Sequence, residues 1–196
     1  MSDTTESPRP GRGRPSPMMF VSLGLGTVLA IALIVVMSVL TGGTVTSSSV
    51  PAPAIVGKTV AAQTVRSLTG GTTTTPWTYG HPTALIFFAS WCEPCKTELP
   101  HLAAYLAHHS THGVRVIAVD SEVGQSDSPS NARAMLQRYH LNVPTMADAK
   151  GQMVNEFGLS ALPDSAFVNA KGVVTWLNIG PISANSFAQR LAQAAA

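Results

Sequence analysis

Only two cysteines occur in the 196 residues, Cys92 and Cys95, and they stand two residues apart in Trp91-Cys92-Glu93-Pro94-Cys95. Thiols at that spacing close into a disulfide and reopen, so the chemistry they suggest is reversible two-electron exchange. A zinc site would need about four ligands at set spacings. No second Cys-x-x-Cys exists, and His101, His108, His109 and His112 follow without supplying such a pattern. Covalent haem attachment needs histidine after the second cysteine, where Lys96 stands. A purely structural bridge enclosing two residues would remove little loop entropy from the unfolded chain. No metal and no cofactor beyond the cysteine pair is expected.

The elements that must hold this pair are written around it. The run Ala84-Leu85-Ile86-Phe87-Phe88 is wholly apolar, which is the pattern of a strand buried on both faces. After Ala89 and Ser90 the period changes to helical, with Leu99, Leu102, Ala103 and Leu106 on one stripe. The pair therefore sits where a strand hands over to a helix. The unpaired N–H groups and positive dipole end there favour a thiolate at Cys92, with Cys95 one turn further in. Cys92 is the expected attacking thiol and Cys95 the resolving one. Pro94 suits the first turn, where an N–H would have no partner, and Pro100 is expected to kink the helix. Glu98, three residues beyond Cys95, shares its face; it is either a solvated surface carboxylate or a shielded acid beside the thiol. Glu93, between the cysteines, is expected to be exposed and to tune the pair. Trp91 stands equally for a substrate rim and for packing.

Further along, Val114 to Val119 reads as a second buried strand and Ser130 to His140 as a helix with Ala132, Met135, Leu136 and Tyr139 on one face. A short helix is expected near Gln152 to Phe157. Ala166 to Val168 and Val173 to Ile179, joined by Asn169 to Gly172, predict a hairpin. Ser183 is placed to cap a last helix, with Ile182 and Phe187 at staple spacing. Val60 to Leu68 and the stretch around Trp77 suggest an N-terminal hairpin, the threonines from Thr72 to Thr75 being poor in pattern. The sum is α/β: βαβ followed by ββα, a mixed sheet flanked by helices.

Ahead of this domain, Met18 to Leu40 carries no charge and is long enough to cross a membrane. Arg9, Arg12 and Arg14 precede it and no basic residue follows until Lys58, so the positive-inside rule leaves the N-terminus cytoplasmic and the domain outside. The competing cleaved signal peptide has a shorter apolar core, and Ala52-Pro53-Ala54 lies far from the end of this run. The expected organisation is a tail over 1–17, a transmembrane helix over 18–40, a flexible linker over 41–55 and a redox domain over 56–196 in the extracytoplasmic space. A net charge of +2 leaves no basic footprint for nucleic acid. A monomer is expected.

The order of elements, with the cysteine pair opening the first helix, resembles the thioredoxin fold. The stretch from Phe88 to Pro100, Phe-Ala-Ser-Trp-Cys-Glu-Pro-Cys-Lys-Thr-Glu-Leu-Pro, is similar to the TlpA/ResA group of membrane-tethered thiol-disulfide oxidoreductases. The resemblance covers nearly all of the chain after the linker. It implies an anchored reductant of protein disulfides, for example those of apocytochrome c, recharged by a membrane thiol electron carrier. It also favours the shielded reading of Glu98, as the acid that manages the resolving thiol's proton. Leu162-Pro163 matches the cis-proline beside the cysteines, where the backbone of Leu162 would pair with an extended substrate segment. Asp164 departs from the threonine usual after that proline and puts redox tuning and substrate preference in question.

Carboxylates near the pair (Glu93, Glu98, Asp164) disfavour a thiolate and so favour the disulfide, which leans the chain toward reductant. A disulfide-forming oxidase on the same fold, and a non-catalytic redox-sensing module, remain the alternatives.

Overall fold

The computed structural model describes residues 33, 53–61, 63–68, 72–74, 80–121, 123 and 126–196. The proposed tail, most of the linker and all of Met18 to Leu40 except Leu33 lie outside these residues, as does Trp77. Among the described residues no helix is long and apolar enough to cross a membrane. Pro51–Ala196 forms one compact unit.

Strand β3 (Thr83–Phe88) lies near the middle of a seven-stranded sheet and is buried at every position. It pairs in parallel with β4 (Arg115–Ser121) and antiparallel with β6 (Asp164–Val168), so its apolar run is covered on both edges. Its side chains divide by parity, as the two-residue period of a strand demands. Ala84, Ile86 and Phe88 join one core cluster, and Leu85 and Phe87 the other. Helices α1 (Glu93–His108), α2 (Pro129–Arg138) and α4 (Ala184–Ala195) bury apolar side chains in the first cluster. Helix α3 (Gln152–Phe157) and the N-terminal segment with Val60 and Val65 cover the second. Phe167 on β6 and Phe187 on α4 meet at 5.6 Å between ring centroids, which locks the last helix to the sheet.

Local signals explain most of these elements. Ser128 caps α2 by accepting the Asn131 N–H, with Pro129 following in the first turn. Ser183 caps α4 through the Ser186 N–H, and Ile182 and Phe187 are both buried in the same cluster. Strand β7 (Val174–Ile179) returns antiparallel to β6 through a turn in which Asn169 Oδ1 accepts the N–H groups of Lys171 and Val173. Helix α1 runs unbroken through Pro100.

Two expectations need correction. The N-terminal hairpin pairs β1 (Thr64–Ser67) with β2 (Thr72–Thr74), a strand drawn from the threonine run that showed no strand pattern; the stretch around Trp77 lies outside the described residues. Threonine's β-branched side chain suits a strand even where no apolar alternation marks one. The βαβ–ββα order also omits a strand: β5 (Thr145–Asp148) lies between β1 and β4, giving the order β2-β1-β5-β4-β3-β6-β7. Its four residues include a buried Thr145 and a buried Asp148, so no hydrophobic run announces it. Parallel pairing to β4 and antiparallel pairing to β1 hold it in place.

Candidate active site

Cys92 and Cys95 are joined, with Sγ–Sγ at 2.01 Å. Cys92 is the N-cap of α1, in extended backbone conformation, and its Sγ accepts the Cys95 N–H at 3.2 Å. A sulfur in that position faces the open donors of the first turn, where a thiolate gains from both hydrogen bonding and the helix dipole. Both cysteines are buried, Cys95 completely and Cys92 with a small exposed remainder. Pro94 occupies the first turn. Glu93 is exposed and salt-bridged to Lys96 at 2.8 Å.

Glu98 is not a solvated surface residue. It is 4% exposed, and its Oε1 accepts the Ile182 N–H at 2.7 Å from the segment leading into α4. Burial pushes its carboxyl up to about 7; the Ile182 bond pulls it back in part, and the charge of Asp164 pushes it up again. Glu98 Oε2 is buried without a hydrogen-bond partner. Asp164 opens β6 immediately after Pro163 and is 2% exposed. Its Oδ1 accepts the Gly180 N–H at 2.8 Å, and burial raises its carboxyl to about 6 against the pull of that bond. The peptide bond from Leu162 to Pro163 is cis. Pro163 is buried, and Leu162 is half-buried between the two core clusters. Trp91 is half-buried against the α1-side core, and its indole N–H is buried with no hydrogen-bond partner. A cleft of about 430 Å³, lined by Pro94, Thr97, Glu98, His101, Pro181, Ile182 and Ser183, reaches Glu98 from outside. Among the described residues no group of histidine, cysteine and carboxylate side chains is arranged to hold a metal ion.

One residue of the site was not singled out in the sequence. Asp127 Oδ1 accepts the Ser90 hydroxyl at 2.6 Å and the Ser128 N–H at 2.8 Å, while its Oδ2 accepts the Ser90 N–H. The carboxylate thus ties the loop before Trp91-Cys92 to the start of α2. Its reach to Ser90, 37 residues away, leaves no local signature in the sequence. Replacing Asp127 by Ala removes three acceptor contacts around a half-buried group, and thermal unfolding should show a loss of about 1–3 kcal/mol. The loop before Cys92 should also exchange its amide hydrogens faster; an unaltered Ser90 amide would mean that the tie is dispensable.

Residues 49–192 match the Redoxin family. The chain belongs to the Redoxin family. It is 30% identical over 105 residues to Sporulation thiol-disulfide oxidoreductase A of Bacillus subtilis (strain 168), covering 54% of this chain and 63% of that protein. It is 31% identical over 99 residues to Thiol-disulfide oxidoreductase ResA of the same organism, covering 50% of this chain and 53% of that protein. The chain therefore spans less than two thirds of the length of either relative. The crystal structure of StoA from Bacillus subtilis superposes with a TM-score of 0.58 at 27% identity, over 66% of this chain and 96% of that one. For this redoxin the fold is thus thioredoxin-like, with the cysteine pair at the start of its first long helix.

Proposed function

We propose that this redoxin is an extracytoplasmic, membrane-tethered thiol-disulfide oxidoreductase that reduces protein disulfides. The observation that carries the reading is the Cys92–Cys95 disulfide at the N-terminus of α1 with a buried carboxylate one turn behind it. In the reduced protein the Cys92 thiolate attacks a substrate disulfide, forming a Cys92–substrate mixed disulfide and expelling one substrate thiolate. Cys95 then gives its proton to Glu98 and its sulfur attacks Cys92 Sγ. The Cys92–Cys95 bond forms, and the second substrate sulfur leaves with the electron pair of the mixed disulfide. Two electrons and two protons pass from the dithiol to the substrate once solvent has settled the last proton. Leu162 and Pro163 form the ledge against which an extended substrate segment lies, and Trp91 borders it.

Buried carboxylates beside the pair disfavour thiolates and so stabilise the disulfide, which supports a reducing couple. The named relatives are thiol-disulfide oxidoreductases, which supports the chemistry; the uncharged run from Met18 to Leu40 behind three arginines supports the tether. Haem-binding cysteines of apocytochrome c are the substrate class proposed by resemblance, with a membrane thiol carrier as electron donor and a monomer as the working unit. Equilibration against a dithiothreitol series should give a potential nearer about −270 mV than about −120 mV. A value above about −180 mV would make the protein an oxidase instead. A reporter fused after Ala196 should be active outside the cytoplasm and sediment with washed membranes; activity confined to the cytoplasm would overturn the topology.

A further inference from the structure

Two acidic side chains from different elements are bound to the same short stretch of backbone. Gly180 donates its N–H to Asp164 Oδ1 at 2.8 Å, and Ile182 donates its N–H to Glu98 Oε1 at 2.7 Å. Pro181, between them, has no N–H to give. Gly180 adopts a φ of +82°, a conformation that L side chains rarely take. The link from β7 to α4 is therefore a strap with one donor for each carboxylate. Both carboxylates are almost fully buried, and neither has a cationic partner among the described residues. An ionised oxygen buried without a donor is costly, and Glu98 Oε2 is such an atom. It is thus the site at which a proton is best placed.

The groups that face Glu98 are few. Cys95 shares its face of α1, His101 lines the same cleft from the next turn, and Asp164 approaches from β6. The strap and the first turn of α4, Gly180 to Phe187, contain no ionisable side chain. Around Asp164, the neighbouring register positions are Phe87 on β3 and Ile179 on β7, neither ionisable. The ionisable groups around Glu98 are thus the Asp164 carboxyl, the Cys95 thiol and, at the exposed mouth of the cleft, the His101 imidazole.

Resting on the dithiol reading above, we propose that Asp164 is a positioning residue for proton transfer: with Glu98 it forms a two-carboxylate unit on the Gly180–Ile182 strap that keeps one proton on Glu98 Oε2 while the disulfide is closed. When the dithiol reduces a substrate, Glu98 arrives ionised and takes the Cys95 proton as the Cys95 sulfur bonds to Cys92. When a thiol donor reopens the disulfide by attack on Cys92, the Cys95 sulfur leaves with the bonding pair and recovers that proton from Glu98. An ordinary glutamate is a weaker base than a thiolate by about four pKa units, so transfer from Cys95 to it is steeply uphill. The negative charge of Asp164 makes Glu98 a stronger base and narrows that gap, consistent with the direction in which Asp164 acts on it. Asp164 ionises first, and its charge then holds the proton on its neighbour.

The test is carboxyl carbon NMR of glutamate- and aspartate-labelled protein from pH 4 to 9, in the disulfide form, beside the lifetime of a mixed disulfide formed with a disulfide-containing peptide. Asp164→Asn removes the charge and keeps an acceptor for the Gly180 N–H. The Glu98 midpoint should fall by about half a unit or more, a threefold change in its protonation ratio. The mixed disulfide should persist about threefold longer at pH 7 and by a smaller factor at pH 8.5, where solvent takes the thiol proton unaided. Asp164→Ser serves if the asparagine variant does not fold, with the same expected shift. An unmoved Glu98 midpoint with the Gly180 amide signal in place overturns the carboxylate unit. A lowered midpoint with an unaltered mixed-disulfide lifetime overturns the role in proton transfer. A wild-type protein that never forms a mixed disulfide, while Asp164→Asn still lowers the Glu98 midpoint, strikes the dithiol reading and leaves the unit standing.

Discussion

Cys92→Ser is expected to lose turnover of protein disulfides by on the order of a thousandfold or more, the scale on which removal of a nucleophile acts. Cys95→Ala is expected to do something different: it should attack once and stop, accumulating mixed disulfides through Cys92. The asymmetry follows from placement. Cys92 is the N-cap, its sulfur facing the first-turn donors and keeping some exposure, whereas Cys95 lies one turn inside with none. Neither variant should unfold, because closing so short a loop stabilises by about 2 kcal/mol or less. Non-reducing electrophoresis with mass spectrometry of the adducts reads the outcome. Adducts on Cys95 in a Cys92→Ser protein, with none on Cys92 in Cys95→Ala, would reverse the two roles.

Glu98→Gln should alter both the thiols and the pH dependence of stability. The amide keeps an acceptor for the Ile182 N–H and removes the charge. With that charge gone the thiolate is favoured, so alkylation of the reduced pair at pH 7 should quicken by roughly threefold to tenfold, corresponding to a shift of about half to one pKa unit. Reduction of protein substrates should nevertheless slow, because the acceptor of the Cys95 proton is lost. Superimposable alkylation profiles would sink this reading. For stability the sign is set by burial. The folded carboxyl sits at about 7 against an ordinary value of 4.5, so between those limits the native state binds more protons than the unfolded one. Its contribution is complete below about pH 4.5 and is lost as pH rises through about 7. Asp164 acts in the same direction between 3.8 and about 6. The thermal midpoint of the disulfide form should therefore decline from pH 5 to pH 8. In Glu98→Gln the decline should be shallower, with a difference on the order of 2–3 kcal/mol at pH 8, or a midpoint higher by roughly 5 °C or more.

The cysteine pair, its place between a buried strand and a helix, and the helix start at Ser183 were all determined by the sequence itself, because each depends on residues within about one or two turns of one another. Side-chain period separates strand from helix, a cap needs only its own first turn, and an apolar run such as Leu85 to Phe88 has no favourable place but an interior. The tertiary structure decided what lies behind the disulfide. Along the chain Glu98 leaves both a surface and a shielded reading open, and only Ile182, 84 residues later, closes over it and fills one of its oxygens. Asp164 reads as a departure from a pattern until the turn of β7 brings Gly180 to it and α1 brings Glu98 beside it. Strand β5 and the tie from Asp127 to Ser90 escape a linear reading for the same reason: β5 is held by pairing to β1 and β4, and Asp127 by a partner in another loop. Desolvation and charge proximity depend on distance in space, which the folded chain sets and the spacing of letters does not.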